Sequence, residues 1–225
     1  MQPISLTYKE LEVSINDFET SFRLSATEQS IIDDLNEVIA KGEEIVDARG
    51  LILEFDDVLV DKGCFKIHDT VFNCKGKIAK QLKKAESLAL FVCTAGDGIT
   101  RQYKEYMQQN EPLKAYFADL LGSISVEKAM DILQNQLRKK KEKEGLFISN
   151  RYSPGYCGWV LVEQAKVFSL MPQQPCGIIL TESSLMIPAK SISGVMGIGK
   201  DIGFTAHQCS ECELTTCVYR KEVSI

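Results

Sequence analysis

What this sequence lacks narrows its chemistry before any motif is read. It has no positive excess: 26 Lys and Arg against 31 Asp and Glu leave a net charge of −5. That balance argues against a general nucleic-acid binder. No apolar run has the roughly 20 residues that a bilayer-spanning helix needs. Met1 to Glu10 holds no basic segment followed by an apolar core, so no secretory leader is read and a cytoplasmic location without membrane partners is expected. No internal repeat, low-complexity tract or linker interrupts the chain before residue 200. Gly194, Gly197 and Gly199 do not follow the order of a dinucleotide fingerprint. In a reducing compartment the eight cysteines are thiols, metal ligands or redox groups rather than a disulfide frame.

What is present is the composition of a globular protein, 44% hydrophobic and 25% charged, enough to build a core. Ile4 to Phe22 reads as a strand followed by irregular chain. Ser25 and Glu28 form a capping box that opens a helix with Ile31, Leu35, Val38 and Ile39 on one face. Gly50 ends the turn after it, and Leu51, Leu53 and Phe55 alternate as a half-buried strand does. Asp61-Lys62-Gly63 turns a hairpin between Val58–Val60 and Phe65–Ile67, with Val71-Phe72 a possible extension. Lys75 to Lys84 is a short helix. Ser87 to Thr94 is apolar almost throughout and predicts a central strand buried on both faces. Gly96 and Gly98 break it before a helix to Gln108. Pro112 opens the longest helical region, with Gly122 as a point of bending or breakage. Its basic end, Arg138 to Lys141, reads as a solvated face. Leu146 to Ile148 is a short strand, Leu161 to Met171 a helix, and Gly177 to Thr181 a strand. Ser191 to Gly199 is small and glycine-rich. The simplest partition is one domain, 1–205, with a cysteine-rich tail, 206–225.

Two places carry candidate chemistry. Arg151-Tyr152-Ser153-Pro154-Gly155-Tyr156 combines a planar donor fork, a rigid proline, a glycine that admits close backbone approach, and a phenol. Such a loop either grips a small amino-acid-like ligand or is a turn with a surface arginine. Glu127 lies in an apolar helical neighbourhood, where a carboxylate needs a partner or a ligand unless it points to solvent. The tail sets His207, Cys209, Cys212 and Cys217 within eleven residues. Three thiolates and an imidazole suit tetrahedral zinc; three thiolates also suit an iron–sulfur cluster. Thiol redox chemistry and plain reduced cysteines are the other readings.

The Arg151–Tyr156 loop resembles the Arg-x-x-Pro-Gly-Tyr loop of the activation (reactivation) domain of cobalamin-dependent methionine synthase, in its stand-alone form. Leu180-Thr181-Glu182-Ser183-Ser184-Leu185-Met186-Ile187-Pro188, running on to Gly194, is similar to a second segment of that family. Ser125 to Ala129 sits where the family places a ligand-binding glutamate, and Leu88 to Gly96 is similar to another family strand. The resemblance covers roughly residues 85 to 200. It implies an α+β fold, a twisted antiparallel sheet flanked by helices. It also implies a reactivation subunit that binds S-adenosylmethionine and positions its methyl for reductive methylation of cob(II)alamin/cob(I)alamin held by a partner. By the resemblance Arg151 would pair the methionyl carboxylate, Ser153 and Gly155 would offer backbone contacts, Tyr156 would line the pocket, and Glu127 would accept from the ammonium or ribose. The implied partners are a cobalamin-binding methionine synthase subunit and a reductant such as flavodoxin. No Asp-x-His-x-x-Gly is present, so cobalamin would come with the partner. The chain departs from the family where Val195 to Ile198 holds no tyrosine, and where no tryptophan precedes Trp159. The rival readings are a metal-binding redox or interaction module, and an activator of another corrinoid methyltransferase.

Overall fold

The computed structural model describes residues 2–22 and 29–204. Its centre is β6 (Ser87–Thr94), in which all eight residues are buried. The alternation along that strand explains the layering. Leu88, Leu90 and Val92 face one core, and Ala89, Phe91 and Cys93 face the other. On one side of β6 lies β2 (Ala48–Phe55), with the short β1 (Ile4–Leu6) beyond it. On the other lies β10 (Ser191–Gly199), then β7 (Phe147–Ile148). All pairings in this five-stranded sheet are antiparallel.

One face is covered by α6 (Pro112–Lys143), through Val126, Ala129, Met130, Leu133 and Leu137. The other carries a three-stranded antiparallel sheet, β3 (Val58–Asp61), β4 (Cys64–Ile67) and β5 (Thr70–Asn73), together with α4 (Lys75–Leu82). Phe65 and Phe72 of this sheet stack at 4.6 Å and meet the buried Trp159 edge-on at 5.5 and 6.1 Å. A third core joins α3 (Gln29–Ile45), α5 (Gly98–Gln108) and the first half of α6. The architecture is the expected α+β fold, an antiparallel sheet flanked by helices.

Several local expectations are corrected. The stretch after β1 is helical, not irregular: α1 (Tyr8–Leu11) begins with a Thr7–Glu10 capping box, and α2 (Ile15–Phe22) follows Ser14, whose amide donates to Asp17 at 2.7 Å. The Ser25–Glu28 box lies outside the described residues. Gly50 is inside β2 rather than before it; a Cβ there would come within 2.1 Å of Leu133. Gly122 does not break α6, which runs unbroken for 32 residues. It is small because Ile99 and Lys190 pack to within 2.7 Å of where its Cβ would stand. The basic helix end is not simply solvated. Lys141 is buried between Glu54 (2.7 Å) and Glu144 (2.8 Å), and Lys140 also reaches Glu54. Lys128 ties α6 to Asp17 at 2.9 Å. The largest departure is β10, an interior nine-residue strand in which serines and glycines outnumber Ile192, Val195, Met196 and Ile198.

Candidate functional site

The Arg151 loop is hung from β10. After β7, Ser149 donates its amide to Gly197 (2.8 Å), and Tyr152 exchanges two backbone hydrogen bonds with Val195 (2.9 and 2.8 Å). From Ile148 to Tyr152 is four residue steps, while the paired Ile198 to Val195 is three. One residue is therefore extra, a bulge of the kind that re-aims a side chain. Arg151 crosses to α6, where Glu127 and Asp131, four residues apart, share a face. Its Nη2 donates to Glu127 Oε2 at 3.0 Å and its Nη1 lies 2.9 Å from Asp131 Oδ1. Nη1 is buried, and its approach to Asp131 lacks the direction of a hydrogen bond.

Beyond Arg151 the loop turns on itself. Tyr156 donates its amide to Ser153 (3.2 Å), Trp159 to Tyr156 (2.9 Å) and Gly155 to Trp159 (2.6 Å). Gly155 has φ +96°, which a residue with a Cβ adopts only under strain. Trp159 anchors the far end in the core.

Arg151, Glu127, Ser153, Pro154 and Tyr156 line one cavity of about 410 Å³. Ligand sites span about 300–1,000 Å³. Leu161, Leu185, Met186 and Ile192 add apolar wall; Gln164, Ser184 and Ser193 add polar wall. Gly155 does not line it, and its amide is already donated within the loop. Its part is to let the chain turn. Tyr156 stands at the mouth, 66% exposed. Glu127 is also at the mouth, its side chain 57% exposed. Partial desolvation pushes its carboxyl above the usual range; Arg151 opposes the shift and Asp131 adds to it.

Two polar residues at the site are not singled out by the sequence reading: Asp131, which pairs with Arg151 without lining the cavity, and Gln164 on its wall. Asp131 is visible only as the i+4 neighbour of Glu127. Gln164, 3% exposed, lies on α7 (Gln164–Ser169) and takes a hydrogen bond from Ser193 Oγ at 3.1 Å. It gives one to the Ser184 carbonyl at 3.0 Å. Ser184 sits in the turn between β8 (Ile179–Leu180) and β9 (Met186–Ile187). None of these partners is near Gln164 in sequence.

His207, Cys209, Cys212 and Cys217 lie outside the described residues. Among the described residues no group of three or more His, Cys, Asp or Glu could hold a metal ion. No described helix is long and apolar enough to cross a membrane.

The sequence profile of the family described as "Vitamin B12 dependent methionine synthase, activation domain" matches residues 69–221. The chain belongs to that family. The solved structures include a similar one, described as "Crystal Structure of the MetH Reactivation Domain bound to AdoHcy", with TM-score 0.68 and 18% identity. The alignment covers 91% of this activation-domain chain and 80% of that one. At that identity the likeness speaks for the fold. Comparison with curated proteins gave no match.

Proposed function

We propose that this activation-domain chain binds S-adenosylmethionine in the Arg151 cavity and presents its methyl to a cobalamin carried by a partner protein. The observation that carries the reading is the Arg151–Glu127 pair on the cavity wall. A guanidinium and a carboxylate held 3.0 Å apart are the complement of an α-amino acid zwitterion. The methionyl carboxylate takes the fork, including the poorly satisfied Nη1, and the ammonium takes Glu127. S-adenosylmethionine, when bound, supplies an electrophilic methyl on a sulfonium, which leaves as a neutral thioether once the methyl is taken. The residues of this chain orient: Arg151 and Glu127 fix the amino-acid end, while Ser153 and Tyr156 line the wall and mouth. Orientation of this kind is the chain's contribution to rate. A reductant such as flavodoxin completes the proposal. The tail's His207, Cys209, Cys212 and Cys217 keep their proposed zinc or iron–sulfur role, which metal analysis of the purified protein decides.

The test is calorimetric titration of S-adenosylmethionine into the parent and Arg151→Ala. A charge-assisted hydrogen bond is worth about 1.5–3 kcal/mol, so roughly ten- to a hundredfold weaker binding is expected. Equal affinity in the two proteins sinks the reading.

A further inference from the structure

We propose that Gln164 is the residue that reads the nucleobase of the bound nucleoside, selecting adenine over hypoxanthine. The inference rests on the S-adenosylmethionine reading above. A carboxamide has two N–H donors and two acceptor lone pairs. Gln164 gives one N–H to the Ser184 carbonyl and takes one hydrogen bond from Ser193, which leaves one donor and one acceptor at the cavity wall. The orientation of this amide is fixed by chemistry. Ser184 offers a backbone carbonyl, which only accepts, so the nitrogen of Gln164 must face it and the side chain cannot flip.

Ser184 is itself held firmly. Its amide donates to Thr181 O (2.9 Å), and Thr181 Oγ1 accepts from the Leu185 amide (3.0 Å). Ser184 keeps a left-handed φ of +62° in this turn. Ser193 is on β10 and is buried, 2% exposed. Two elements distant in sequence thus spend buried polar groups on one glutamine, and the glutamine faces a cavity.

The partner for that face is an uncharged base. Adenine places an amino donor beside a ring-nitrogen acceptor, the pattern that a glutamine amide pairs with in two bonds. Leu161, Leu185 and Met186 supply apolar wall for the faces of a flat ring. The cavity wall then carries a charged pair, Arg151 with Glu127, and a neutral donor–acceptor patch, Gln164. A molecule with a zwitterion at one end and a base at the other satisfies both. Hypoxanthine puts a carbonyl oxygen where adenine has its amino group. That oxygen would face the Gln164 oxygen, and the Ser184 carbonyl blocks the flip that would relieve it. Sites built to hydrogen-bond a ligand reject the analogue that leaves their polar groups unpaired.

The experiment is calorimetric titration of S-adenosylhomocysteine and S-inosylhomocysteine into the parent, Gln164→Met and Arg151→Ala, with circular dichroism to check folding. The parent is expected to favour the adenosine compound by roughly ten- to a hundredfold. Gln164→Met brings the ratio close to one. Arg151→Ala weakens both ligands and keeps the ratio. Should Gln164→Met fail to fold, Gln164→Leu, which also loses both the donor and the acceptor, must collapse the ratio in the same way. Equal binding of the two compounds by the parent, or an unchanged ratio in the Gln164 variants, overturns the inference and leaves the methyl-donor reading standing. No binding of either compound overturns both.

Discussion

Glu127 makes the site sensitive to pH in a direction that follows from its surroundings. Its carboxyl is raised by desolvation above the ordinary value of about 4.3, with Arg151 opposing. A raised carboxyl favours the protonated form in the folded state. Its contribution to stability is complete below the unfolded value and is lost as pH rises through the higher folded value. Glu127→Gln should therefore gain thermal stability relative to the parent as pH is taken from 4 towards 8; a constant difference in Tm would contradict this. Ligand affinity should run the other way and rise over the same span, because only the ionised carboxylate accepts well from an ammonium.

The buried thiols give a second prediction. Burial pushes Cys74 and Cys176 to about 11 and Cys93 to about 12, whereas Cys157 is exposed in the loop. Iodoacetamide at pH 8 should label Cys157 in the native protein. Cys74, Cys93 and Cys176 should react only in denaturant, as peptide mapping would show. At this scale the sequence was informative where a motif is local. Arg151, Ser153 and Tyr156 sit within six residues, and Glu127 stands in a recognisable helix. Asp131 and Gln164 were not legible, because each acquires its meaning from a partner brought in by the fold.

At the scale of elements, the loop's position depends on a missing side chain. A Cβ on Gly194 would stand 2.1 Å from the Tyr152 carbonyl and 2.8 Å from the Phe91 ring. Tyr152 could then no longer pair with Val195, and Arg151 would move with it. Gly194→Ala should cost about 1–3 kcal/mol of stability, as overpacking does. It should also weaken S-adenosylmethionine binding, although Gly194 does not line the cavity. Thermal melts and titration on the same preparation check both halves. The same feature explains why β10 was read only as small and glycine-rich. Strand propensity favours β-branched and aromatic residues, but Ser191, Ser193, Gly194 and Gly197 are there for clearance and for hydrogen bonds. Ser191 Oγ donates to Pro188 O at 2.7 Å and lies 2.9 Å from Thr94 Oγ1. β6, apolar almost throughout, is plain in the sequence. β10 adds Val195, Met196 and Ile198 to the cores, but its serines and glycines hide it, and Gly122 misleads because it too is there for clearance.

Over the whole molecule, the sole tryptophan sits where three parts meet. Trp159 ends the Arg151 loop and packs, 1% exposed, against Phe65 and Phe72 of the three-stranded sheet, within the core shared with β6. Its fluorescence therefore reports the loop, the small sheet and the central sheet together, while far-UV circular dichroism is dominated by helices such as α6. If the described residues unfold as one unit, the two signals should change at the same urea concentration. Separate midpoints would mean that the three-stranded sheet melts on its own.

The position of β10 also governs how the protein can be made. It pairs with β6 about a hundred residues earlier, from Ser191 against Thr94 to Ile198 against Ser87, and it seats the Arg151 loop. On the ribosome β6 must wait, one edge open, until residues 191–199 have left the exit tunnel. Until then its unpaired backbone is an invitation to the wrong neighbour. Nascent chains halted before residue 190 should consequently engage chaperones strongly, and release them as this one strand is added.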